Sequence, residues 1–135
     1  QIISENQLID EDKEIIIINS YGVISNYISV CKSVFIGKSL IKRLKNVSGQ
    51  NPIEAAKFGC KIYHGPYVYN FEEIYDQLKH YGISKKIENE MELANSIIAD
   101  FSKRENINQN QLDIINNYGK KILNDTYNEI KKISI

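Results

Sequence analysis

The sequence has no excess of charge of either sign: 17 Lys and Arg balance 17 Asp and Glu over 135 residues. Without a pervasive basic surface there is no argument for nucleic acid as a partner, nor for general attraction to an anionic membrane. Local patches remain open. Cysteine is scarce. Cys31 and Cys60 stand far apart, with no CxxC or Cys/His spacing. They are expected to be small, buried, apolar residues in a reduced cytoplasm, and their spacing supports neither a metal site nor a catalytic thiol. No apolar run approaches the ~18 residues that a membrane span requires, and no charged-then-apolar leader opens the chain. A start at Gln1 rather than Met suggests a fragment or a processed form.

What is present is enough apolar content, 42%, to fill the core of one domain over residues 1–135. Four consecutive isoleucines within Glu14 to Asn19 predict a strand buried on both faces. Gly22 breaks the chain, and Val23 to Cys31 predicts a short helix. Ser33 to Ile36 predicts a second buried strand, followed by a basic loop from Lys38 to Gln50. Pro52 opens a helix that Gly59 closes, in keeping with the usual asymmetry of helix ends. Cys60 to Tyr63 predicts a third strand, Gly65-Pro66 a turn, Phe71 to His80 a helix, and Ile83 to Ile87 a fourth strand. Met91 to Phe101 predicts an amphipathic helix. From Gln109 onward, Leu112, Ile115, Tyr118, Ile122, Tyr127, Ile130 and Ile133 mark the inner face of a long terminal helix. Short strands alternating with helices predict a Rossmann-like α/β domain, a parallel sheet with flanking helices.

Two stretches carry the chemistry. In GQNPIEAAKFG, Gly49 to Gly59, Asn51 can cap the helix, Pro52 opens it, and Glu54 completes a relative of the capping box. The same geometry serves a ligand, because a glycine turn leading into a helix start offers backbone N–H groups to a phosphate. A carboxylate one turn in could accept hydrogen bonds from ribose hydroxyls. The second stretch, HGPYVYNF from His64 to Phe71, follows the third strand, where ligands of open parallel sheets bind. Its aromatic residues are equally consistent with ordinary packing around a turn. A third possibility, a P-loop at Gly37-Lys38-Ser39, fails because the required upstream glycine is Lys32.

The run GQNPIEAAKFGCKIYHGPYVYNFEEIYDQL resembles the signature of Kdo transferases, a Gly-(Gln/His)-Asn-Pro-(Leu/Ile)-Glu block followed by Gly-Pro-His-x-x-Asn-Phe. Upstream, Ser20-Tyr21-Gly22 resembles the family's Asp-Thr-x-Gly-Glu turn, and FIGKSL its Phe-x-Gly-Gly-Ser-Leu. Here Val23 follows Gly22, Lys38 replaces a glycine, and Tyr67 stands in place of histidine. The resemblance covers roughly residues 14 to 90.

The resemblance implies the C-terminal, donor-holding domain of a GT-B glycosyltransferase that moves 3-deoxy-D-manno-octulosonic acid (Kdo) from CMP-Kdo to a lipid A precursor. That reaction belongs to lipopolysaccharide synthesis at the cytoplasmic face of the inner membrane in Gram-negative cells. Carried over by residue, the CMP part of the donor would meet Tyr21, Gly22, Val23, Asn51, Pro52, Ile53 and Glu54. Lys38, Ser39, Gly49 and Gln50 would shape the adjoining phosphate loop. No cofactor, metal or nucleic acid is implied. The partners implied are donor, acceptor, the N-terminal domain of the same enzyme and, through the full-length enzyme, the membrane surface. The family's general base lies in that N-terminal domain, so no catalytic residue is assigned here and the chain alone is expected to be inactive. The alternatives are a non-catalytic remnant or partner-binding domain, and a GT-B enzyme using another nucleotide sugar. The run Lys42, Arg43, Lys45 is most simply a solvated loop, with attraction to acceptor phosphates or anionic headgroups as the alternative.

Overall fold

The computed structural model describes residues 1–4, 7–10, 12–102 and 109–133. In chain order its elements are β1 (Ile2–Ile3), β2 (Ile17–Ile18), α1 (Ile24–Ile28), β3 (Ser33–Phe35), α2 (Ile53–Lys57) and β4 (Lys61–His64). There follow α3 (Glu72–His80), β5 (Ser84–Lys86), α4 (Glu90–Ser102) and α5 (Gln109–Ile133). Single 3-10 turns occur at Lys42–Leu44 and Tyr69–Phe71.

β3, β4 and β5 form a parallel sheet with β4 in the middle, pairing Val34 with Ile62 and Ile62 with Ser84. A central parallel strand must be apolar on both faces, and Ile62, Tyr63 and His64 are all buried. α2 and α3 are the crossovers that parallel pairing demands. Ala55 and Ala56 of α2, Tyr75 and Leu78 of α3, and Ile115 of α5 complete the core around Ile62. Burying a side chain such as Ile62 contributes about 2–3 kcal/mol. The α/β architecture expected from the sequence is the one observed.

The two crossover helices end in the same way. Gly59 N–H donates to Ala56 O and Cys60 N–H to Ala55 O; in α3, Gly82 N–H donates to Lys79 O and Ile83 N–H to Leu78 O. These paired bonds define the Schellman motif, whose left-handed residue is Gly59 (φ 75°) or Gly82 (φ 71°). Each motif leads directly into the next strand.

Three expectations need correction. The isoleucine run is not buried on both faces: only Ile17 and Ile18 pair, with β1, and Ile15, Ile17 and Ile18 remain exposed. β2 is one of two short strands in a sheet of its own, so no layer covers it. Cys31 is exposed rather than buried, because it lies just past α1 with its thiol against Tyr27 O; Cys60 is buried as expected. The terminal helix keeps its inner face only over its first turns. Ile115 is buried, whereas Ile122, Tyr127, Ile130 and Ile133 are exposed, since α5 runs beyond α2, against which it packs. No helix among the described residues is long and apolar enough to cross a membrane.

Candidate functional site

Most of the candidate site residues lie in the segments that leave the carboxyl ends of strands, and Ile53 and Glu54 open α2 just beyond one of them. The segment after β2 holds Tyr21, Gly22 and Val23; the one after β3 runs from Ile36 to Pro52; the one after β4 holds Gly65 to Phe71. This is the rim where open parallel sheets bind ligands.

The second and third of these loops are laced together. Ser39 is fully buried, and its hydroxyl donates to Ile36 O (2.6 Å) while accepting from Gly65 N–H (2.8 Å). Tyr67 N–H donates to Ser39 O, and Gly49 N–H to Tyr67 O. The approach is so close that a Cβ on Gly65 would stand 2.3 Å from Ser39 O and 2.4 Å from Leu40 Cα. Only glycine fits there. The Tyr75 hydroxyl reaches up from α3 to Gln50 O (3.0 Å). Ser39 and Gly49 are thus buried and give the loop its shape, while Lys38 and Gln50 reach solvent. Lys38 is held at φ 68°, an uncommon backbone for a lysine, at the point where the chain leaves the sheet.

Gln50 leads directly into the start of α2. Asn51 Oδ1 accepts from Ile53 N–H (2.9 Å), the bond expected of a helix cap. Pro52 is buried, Ile53 is half-buried, and Asn51 and Glu54 are exposed. Glu54 does not close a capping box. Its carboxylate instead accepts a short hydrogen bond from the Ser25 hydroxyl of α1. That bond joins the start of α2 to the start of α1, directly after the fully exposed Tyr21, the Gly22 turn and Val23. The structure therefore unites two segments about thirty residues apart that the motifs only listed side by side. α2 itself is five residues long and its Ile53 N–H is already used, so its dipole has less to offer a phosphate than the sequence suggests.

Beneath the rim, His64 is buried with Nδ1 against Gly65 O (2.8 Å) and its ring 4.1 Å from that of Tyr75. Burial lowers its pKa; the Gly65 carbonyl opposes that shift, Lys86 and Lys79 reinforce it, and Asp76 opposes it weakly. His64 is a packing residue. Burial, followed by the neighbouring Cys31, pushes the Cys60 thiol up to about 11, which removes it as a nucleophile near neutral pH. On the far side of the sheet Asp100 of α4 accepts from both Tyr63 and Ser33 at 2.7 Å and ties that helix to β3 and β4. Burial and Asp100 together raise the Tyr63 pKa.

No protein-family model matches the chain, and no curated protein matches it by sequence. Among solved structures, the C-terminal CMP-Kdo binding domain of WaaA from Acinetobacter baumannii matches with a TM-score of 0.72 at 18% identity. The chain has the fold of that domain. The match covers 84% of this chain and 60% of the neighbour, so the chain spans well under the neighbour's full length. The likeness is one of fold, and it agrees with the α/β architecture that the paired motifs led one to expect.

Two parts of the site escaped the sequence reading. Ser25 carries no motif and gains its role only through its contact with Glu54. The other is the full extent of the basic loop: no Asp or Glu occurs between Glu14 and Glu54, while Lys32, Lys38, Lys42, Arg43 and Lys45 all do. The segment that supplies most of the rim is positively charged in a chain whose net charge is zero.

Proposed function

We propose that this chain is the donor-binding domain of a Kdo transferase and holds the cytidine monophosphate part of CMP-Kdo on the rim formed by Tyr21–Val23 and Asn51–Glu54. The carrying observation is the Ser25–Glu54 hydrogen bond, which draws the two segments into one surface on a fold shared with a CMP-Kdo binding domain. In this reading Glu54, oriented by Ser25, accepts hydrogen bonds from the ribose hydroxyls. Asn51 and the Gly22 turn border the base, and Lys38 supplies a fixed positive charge to the phosphate. A sugar nucleotide that carries a phosphodiester and a carboxylate is well suited to a rim whose β3–α2 loop, from Ile36 to Pro52, holds cations and no acid. Transfer to a lipid A precursor would use a general base on the N-terminal half of the enzyme, since a base must lie within hydrogen-bond reach of the attacking hydroxyl. At the inner membrane, this domain would present the donor across the cleft to that half.

Calorimetric titration of the chain with CMP, UMP and AMP tests the reading. Selective binding of CMP is expected, weakened about tenfold or more by Glu54→Ala, as for a lost hydrogen bond to a charged group, and less by Ser25→Ala. A folded domain that binds none of the three, or all three equally, would sink it. Preference for UMP would point instead to a different nucleotide sugar.

A further inference from the structure

The β3–α2 loop has a part that the donor reading does not use. Its two ends are pinned by the Ser39–Tyr67 and Tyr67–Gly49 backbone bonds, and between them the chain makes an excursion from Leu40 to Ser48. The excursion is ordered by its own bonds, Leu44 N–H to Ile41 O, Lys45 N–H to Lys42 O and Val47 N–H to Leu44 O. The Tyr69 hydroxyl donates to Asn46 O, and Ser48, buried, accepts from Asn70 N–H at its base. Leu40 and Leu44 turn partly inward. Lys42, Arg43 and Lys45 are exposed, and none of them forms an ion pair with a described carboxylate. Flanking them are Ile41 and Val47, 51% and 52% exposed, with Tyr69 at 55% beside them.

Here two exposed aliphatic side chains and three exposed cations share one short segment of braced backbone. Cations flanked by exposed aliphatic residues match an anionic bilayer surface, where the charges meet headgroups and the aliphatic side chains enter the interface. We propose that the Leu40–Ser48 excursion docks this domain onto an anionic lipid surface, with Lys42, Arg43 and Lys45 at headgroup level and Ile41 and Val47 inserted. The charge complementarity is local: the acid-free segment from Ile15 to Ile53 carries five cations, three of them at this tip. The proposal goes beyond the donor reading and does not depend on it, because none of these residues belongs to the nucleotide rim.

The test is sedimentation of the full chain with phosphatidylcholine vesicles and with vesicles that also contain phosphatidylglycerol, at low and high salt. Binding to the anionic vesicles alone is expected, and it should weaken as salt screens the charges. The triple variant K42Q/R43Q/K45Q should lower partitioning by about a hundredfold, since each cation near such a surface is worth a factor of about five. I41S/V47S should lower it by about tenfold while leaving the preference for anionic lipid intact. Both variants replace exposed residues, and unchanged melting temperatures would verify their folding. The proposal is overturned if the wild type binds neither vesicle, if it binds both equally, if the folded triple variant binds like wild type, or if a single-stranded oligonucleotide is bound more tightly than anionic vesicles at the same salt.

Discussion

The β3–β4–β5 layer with its flanking residues and the terminal helix both carry isoleucines, yet they treat them in opposite ways. In the layer, Ile62 and Ile83 are out of contact with water, closed in by α2 and α3. On α5, Ile115 is buried where it meets the core, while Ile122, Ile130 and Ile133 stand in solvent on the same helix. β2 behaves like the far half of α5. Periodicity shows which face a segment would bury, whereas burial requires another layer, and that is decided by distant parts of the chain.

The largest effect is expected where the layer is tightest. Gly65→Ala would force a methyl group into the Ser39–Leu40 backbone and should cost about 4 kcal/mol, seen as a loss of cooperative unfolding in denaturant or a much lower midpoint. Next, Ile62→Ala should cost about 3 kcal/mol as a buried cavity, and Ile130→Ala less than about 0.5 kcal/mol. Equal costs for the two in urea titrations would mean that the outer half of α5 is covered in solution, and the contrast between the regions would collapse.

The smallest effect sharpens the comparison from within the layer. Folding holds His64 neutral and lowers its pKa, so below its ordinary value near 6.5 the unfolded chain binds a proton that the native state refuses. Stability from this source is complete above about pH 6.5 and is lost as pH falls toward the depressed native value. Melting temperatures measured from neutral to mildly acid pH should decline, and His64→Gln should flatten that decline. An unchanged slope would place the acid sensitivity elsewhere.

Much of the layer was legible because its signals are local. Pro52, Gly59 and Gly82 mark helix ends through backbone chemistry that acts within a few residues, and α2, β4, α3 and β5 fall within the ranges those residues set. The pairing of β1 with β2 was not legible, since a two-residue strand has no periodicity of its own. At the rim, Asn51 capping followed from its place before Pro52. The partner of Glu54 did not, because Ser25 becomes its neighbour only after α1 and α2 have packed. Ser39 was expected to shape its loop, and the means was not legible: the fold turns its hydroxyl inward to Ile36 and Gly65.

The twin Schellman endings carry an evolutionary consequence. Because Cys60 and Ile83 close a helix and begin the approach to a strand at once, the helix-to-strand edge of the domain has no spare residue. Losing or gaining one there would turn the following strand over and exchange its two faces. The opposite edge is locked only in part: the loop after β3 is pinned at Ser39 and Gly49, and the Leu40–Ser48 excursion between them sets no strand register. Change in chain length is therefore expected on that second side, where open parallel sheets bind ligands, while the sheet beneath keeps its register.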